Sequence, residues 1–65
     1  MDHLHKYVLM YASGKVIDYA FSKHESMRLS TYLYLYAHQI SFNGMYFKFK
    51  NEWYHEDELQ LVKEY

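Results

Sequence analysis

The stretch Ser30–Gln39 reads STYLYLYAHQ, and the fold turns on how it is read. Its middle, Tyr32-Leu33-Tyr34-Leu35-Tyr36, alternates aromatic and aliphatic residues with the period of two that a strand shows. What precedes it points elsewhere. Ser22-Lys23-His24-Glu25 matches a capping box, in which the Ser22 hydroxyl accepts from the Glu25 backbone N–H and the Glu25 carboxylate reaches back to Ser22. From there no glycine or proline occurs before Gly44, so a switch to strand at Ser30 would need a bend with no residue to make it. A helix over residues 23–39 follows; the strand reading of TYLYLY would lead to an all-β barrel instead.

As a helix, the alternation puts apolar side chains on both sides. At 100° per residue, Leu29, Leu33, Tyr36, Ala37 and Ile40 form one stripe, able to cover a sheet. Met27, Thr31, Tyr34, Leu35 and His38 fall on the opposite side, with Tyr32 on a flank. The outer face of a helix lying on one sheet is normally charged, and this one carries almost no charge after Arg28. A chain of 65 residues has little else with which to bury a second apolar face. Met27, Thr31, Tyr34, Leu35 and His38 are therefore the expected partner-binding residues.

The flanking segments read as sheet. Residues 4–21 are rich in β-branched and aromatic residues on either side of Ser13-Gly14, which predicts a hairpin with a two-residue loop. Pairing Ala12 with Lys15 sets Val8, Met10, Ile17, Tyr19 and Phe21 on one face. Tyr7, Leu9, Tyr11, Val16, Asp18 and Ala20 take the other, and neither face is polar. After Asn43-Gly44, Met45, Phe47 and Phe49 alternate with Tyr46, Lys48 and Lys50. Asn51-Glu52 reads as a turn, and Trp53-Tyr54-His55 as the returning strand. Leu59–Val62 reads as a last short strand, so the C-terminal strands occupy residues 45–62. The order β-β-α-β-β predicts one α+β domain over residues 1–65, an antiparallel sheet with one helix packed on it.

Composition bounds the rest. So short a chain buries a modest fraction of its surface and commonly needs reinforcement. There is no cysteine, so no disulfide or thiolate metal site supplies it. Aromatics make up 22% of the residues, nine of them tyrosines, and tyrosine is a favoured interface residue. A rich core and oligomerisation, with a dimer the expected form, are the remaining routes. The net charge of −1 advertises no strongly electrostatic partner such as duplex DNA. The N-terminus lacks a signal-peptide pattern and no apolar run is long enough to span a membrane, so a cytoplasmic location without membrane association is expected.

Chemistry-bearing patterns are sparse. His3 and His5, two apart on a strand, would share a face, and His24, His38, His55, Glu56 and Asp57 could add metal ligands only if the fold gathered them. Their spacing matches no recognised site, and solvated ends and turns account for them; no metal, cofactor or catalytic residue is expected. Tyr54-His55-Glu56-Asp57 places acid–base residues side by side, but neighbours on a strand diverge. His38, four residues after Tyr34, would make an interface pH-sensitive if it lay in one; a histidine near a helix C-terminus also simply suits the dipole.

The expected function is thus a non-catalytic protein–protein interaction module, self-associating or docking on a partner protein as a small regulator or inhibitor. Its size and style suit an accessory protein of a phage or plasmid. The alternative is single-stranded nucleic-acid binding by a sheet face carrying Tyr46, Lys48, Lys50 and Tyr54, where aromatics would stack bases and lysines neutralise phosphates.

Overall fold

A computed structural model describes residues 3–64. Within them the chain is α+β, built from strands β1 (His5–Tyr11) and β2 (Val16–Ser22), helix α1 (Leu29–Tyr36), and strands β3 (Gln39–Ile40), β4 (Tyr46–Phe49), β5 (Glu52–His55) and β6 (Leu59–Glu64). A 3₁₀ turn, Glu56–Glu58, joins β5 to β6. Instead of the single sheet expected, there are two three-stranded antiparallel sheets, ordered β2-β1-β6 and β3-β4-β5. The last strand returns to pair with the first, which places β1 at the centre of its sheet.

The first hairpin has the expected register from Leu9 outwards, with Leu9 opposite Asp18 and Val8 opposite Tyr19. Nearer the turn it slips by one, so that Met10 faces Val16. The loop holds three residues rather than two: the Gly14 N–H donates to the Tyr11 carbonyl at 2.8 Å and the Tyr11 N–H to the Lys15 carbonyl at 2.9 Å. Gly14 takes φ +98°, a conformation that costs an L side chain strain, and this closes a three-residue loop. The extra residue in β2 is Ile17, a β-bulge. It consequently turns into the core, where it is buried, while Val16 moves to the outer face. Both were expected on the opposite sides.

Helix α1 covers eight residues, Leu29–Tyr36, rather than residues 23–39. STYLYLY is helical as expected, but the capping box at Ser22 does not form. Ser22 ends β2, and its Oγ accepts from the His24 N–H at 3.2 Å. In a longer helix the His24 and Glu25 carbonyls would accept from N–H groups four residues on. Here they accept instead from the Tyr7 hydroxyl and, at 2.5 Å, from the Lys63 ammonium. Sheet side chains thus satisfy the carbonyls that a first helical turn would have used.

The core is aromatic. Tyr7, Leu9 and Ile17 from the first sheet meet Tyr32 and Leu33 from α1 and Phe47, Phe49 and Tyr54 from the second, with Leu59 at the start of β6. Tyr32, fully buried, lies 4.7 Å from the Tyr36 ring and 6.3 Å from that of Phe49, and its hydroxyl donates to Asp18 Oδ2 at 2.7 Å. This bond ties the helix to the inner face of β2. Burial, reinforced by the Asp18 hydrogen bond, holds the Tyr32 hydroxyl well above its ordinary pKa. The Tyr54 ring packs on Tyr11 at 5.2 Å and its hydroxyl donates to Glu52 at 2.9 Å, so these tyrosines bury area while their polar tips remain paired.

Candidate interaction surface

With Tyr32 and Leu33 turned inward, the residues before and after them face outward. Thr31, Tyr34, Leu35 and His38 are all exposed, Tyr34 by 61% and Leu35 by 59%. Met27 is not part of this surface. It lies before the helix, half-buried, and packs against the core. The shorter helix is the reason, since its predicted place on the outer stripe required helical geometry already at residue 27.

A second element extends the surface. The Tyr34 ring meets Phe47 edge-on at 5.6 Å, and its hydroxyl approaches the β3–β4 loop, 3.7 Å from where a Cβ on Gly44 would stand. That loop is fixed by its own polar side chains. Ser41 Oγ donates to Asn43 Oδ1 at 2.6 Å and accepts the Tyr46 N–H at 2.9 Å, while Asn43 Oδ1 also accepts the Met45 N–H at 3.1 Å. Gly44, at φ +73°, donates to the Ser41 carbonyl at 2.9 Å. Held this way, the loop projects Phe42 wholly into solvent and leaves Met45 exposed. Sequence reading passed over Phe42; the only cue was an aromatic residue beside Asn43-Gly44, where a turn normally carries polar side chains.

The outer face of β3-β4-β5 differs from the expected platform. Tyr46 and Lys48 share it, but Lys50 and Tyr54 do not. The hairpin turn is Lys50-Asn51, with φ of 50° and 68°, and Phe49 pairs with Glu52. Moving a two-residue turn by one position shifts the pairing by two residues and keeps the faces. With either turn Tyr54 falls on the side of Phe47 and Phe49 and Trp53 on that of Lys48, so Tyr54 was never in step with Tyr46 and Lys48. Tyr54 is accordingly buried opposite Phe47, and Trp53 takes the outer position opposite Lys48. The face that results holds Trp53, 47% exposed, with the Lys48 Nζ 5.8 Å from its ring centre, and Tyr46 edge-on to His55 at 4.9 Å. His55 Nδ1 accepts the Asp57 N–H at 3.1 Å and so caps the 3₁₀ turn.

Electrostatic perturbation lies elsewhere. Burial, then the hydrogen bond and charge of Glu52, push the Tyr54 hydroxyl up to about 12. Tyr11 is raised as well, by burial and by the carboxylates of Glu58 and Glu52. Among the described residues no three histidine, aspartate or glutamate side chains come together in a metal-binding group. Among them too, no helix is long and apolar enough to cross a membrane. Comparison of the chain with protein-family models, with curated proteins and with solved structures finds no match in any of the three.

Proposed function

We propose that this protein is a non-catalytic protein–protein interaction module that docks on a partner protein through the outer edge of α1 and the β3–β4 loop. The observation that carries the reading is the wholly exposed Phe42, in a loop that the Tyr34 hydroxyl approaches at Gly44. The loop that holds Phe42 out is fixed by hydrogen bonds from Ser41 and Asn43, so the aromatic ring is presented at little further entropic cost. Leu35 and Met45 supply flanking apolar area, and Thr31 and His38 a polar margin. Interfaces commonly concentrate affinity in a few such anchors. A shallow groove on a partner, with room for one aromatic ring and a leucine, is the complementary shape, and a small regulator or inhibitor is the role this suits.

The test is a pull-down with tagged wild-type chain beside Leu35→Glu and Phe42→Ser. Neither side chain belongs to the core, so both variants are expected to stay folded. A protein retained by the wild type and lost from both variants supports the reading. An identical set of captured proteins from all three chains rules this surface out.

A second reading places single-stranded nucleic acid on the outer face of β3-β4-β5, with the site revised to Tyr46, Lys48, Trp53 and His55. What favours it is a cation set beside two half-exposed aromatics on one sheet face. Diagonal positions on neighbouring strands lie about 7–8 Å apart, close enough for successive bases. An anisotropy titration with labelled oligonucleotides at low salt decides it: binding weakened by Trp53→Ala keeps it, and no binding removes it.

A further inference from the structure

The outer face of β2-β1-β6, turned away from the core, has the wrong composition for a solvated surface. Cross-strand pairing assigns it three rows: Phe21, Lys6 and Glu64; Tyr19, Val8 and Val62; Val16, Met10 and Gln60. Six of these nine positions are apolar, whereas an antiparallel sheet with one face on the core usually carries polar residues on the other. Val16, Tyr19 and Phe21 are each more than half exposed and Val62 is 40% exposed. The bulge at Ile17 contributes, because it delivers Val16 to this side.

We infer that this face is covered by the same face of a second copy, making the protein a two-fold dimer through its first sheet. Three features favour a second copy over an unrelated partner. The first is relief. Val8, on the central strand, is only 4% exposed although it faces outward, because its neighbours Tyr19 and Val62 rise on either side. Tyr19 and Phe21, edge-on at 6.0 Å, form one ridge, and the line of β1 forms a furrow. A ridge and a furrow on one patch are what an isologous interface requires, since each copy must supply both shapes.

The second is charge. Lys6 lies 3.5 Å from Glu64 and 4.9 Å above the Tyr19 ring. The face thus carries one paired charge of each sign. Two copies would not repel, and a strongly charged partner would find no field to match. The third is area. Strands of six or seven residues in a three-stranded sheet give a footprint of roughly 22 by 14 Å per copy. With side-chain relief, two such faces bury on the order of 1,000 Å², about the floor for a specific interface. The contact leaves Leu35 and Phe42 free, so it does not depend on the docking surface proposed above.

The experiment is light scattering on the full chain across a concentration series, with wild type, Tyr19→Ser/Phe21→Ser and Leu35→Glu in parallel. The wild type is expected at twice the monomer mass, falling towards monomer on dilution. Loss of each anchor should raise the dissociation constant by roughly thirty-fold or more. The double variant is then monomeric at concentrations where the wild type and Leu35→Glu are dimers, with unchanged far-ultraviolet circular dichroism. Should it fail to fold, Val16→Lys at the corner of the face carries the same test. A wild type that is monomeric throughout overturns the inference. So does a dimer that survives the face variants, which would indicate edge pairing, or one lost only in Leu35→Glu.

Discussion

Replacing Tyr32 by phenylalanine removes one oxygen atom from the centre of the protein, and its effect can be worked out in advance. The ring keeps its place between Tyr36 and Phe49, so no cavity beyond the hydroxyl opens. What is lost is the 2.7 Å hydrogen bond to Asp18, which is itself half-buried. A hydrogen bond to a charged group contributes about 1.5–3 kcal/mol net. A domain of this length has a total stability of roughly 3–10 kcal/mol, so the loss is a large share of it. The melting temperature should fall by on the order of 10 °C, at about 4–8 °C per kcal/mol for so small a domain. Asp18→Ala should cost a similar amount, because it strands the hydroxyl inside the core without an acceptor. The two losses share one cause, so the double variant should lose clearly less than their sum. Urea unfolding followed by circular dichroism gives all three values. A coupling below about 0.5 kcal/mol would mean the bond contributes nothing net, and that Tyr32 is held by the packing of its ring on Tyr36 and Phe49 alone.

Two further outcomes follow from the same geometry. Lys50 and Asn51 both have positive φ, the conformation of a type I′ turn, for which Asn-Gly is far better suited; the double substitution Lys50→Asn/Asn51→Gly should raise stability by about 0.5–2 kcal/mol in denaturant titration, and an unchanged or lower midpoint would contradict the turn assignment. Alkaline pH should unfold the protein, because Tyr32 and Tyr54 keep their protons in the native state to higher pH than the roughly 10 of an unfolded chain. Above that value the unfolded state binds fewer protons, so stability is fully present below pH ~10 and declines as pH rises towards the value of about 12 for Tyr54. Tyrosinate absorbance recorded beside circular dichroism checks this: the last hydroxyls should ionise as the fold is lost, and free ionisation of all nine tyrosines in a folded chain would refute it.

Where sequence reading worked, local chemistry and tertiary structure agreed. Ser13-Gly14 marks a hairpin because Gly14 supplies the positive φ that the loop needs. Phe47 and Phe49 alternate with Tyr46 and Lys48 because the strand has one buried side. Where it failed, two local solutions were nearly degenerate. Val16 and Ile17 are both β-branched, so either could face inward, and only the packing of the whole core selects Ile17. Lys50-Asn51 and Asn51-Glu52 both contain the asparagine that tolerates positive φ. A lysine at φ 50° is the less favourable choice locally, yet it is the one that sets Tyr54 opposite Phe47 and Trp53 opposite Lys48. The expected helical start at Ser22 was a sound local signal overridden from a distance, by Tyr7 and Lys63. The candidate surface was legible to the extent that it lay on α1. Phe42 was not, because exposure of an apolar residue in a loop leaves no periodic trace. The outer face of the first sheet, by contrast, showed in the alternation of the hairpin, with Val8, Met10, Tyr19 and Phe21 on one side and only Val16 and Ile17 exchanged.

The two proposed surfaces make separable demands on the same small core. Tyr19 and Phe21 point away from a sheet whose inner side is filled by Tyr7, Leu9 and Ile17; Leu35 points away from a helix whose inner side is filled by Tyr32 and Leu33. Neither set of outward residues belongs to the cluster that holds the elements together. Substitutions on the two surfaces should therefore add in their small effects on monomer stability, within about 0.3–0.5 kcal/mol, as distant sites without shared partners do. Their effects on association should divide completely: the sheet-face variants change mass and leave partner capture per chain intact, and Leu35→Glu does the reverse. A variant at one site that altered both readouts would mean that dimer formation and docking compete for one surface. The apolar sheet face would then need an occupant of its own.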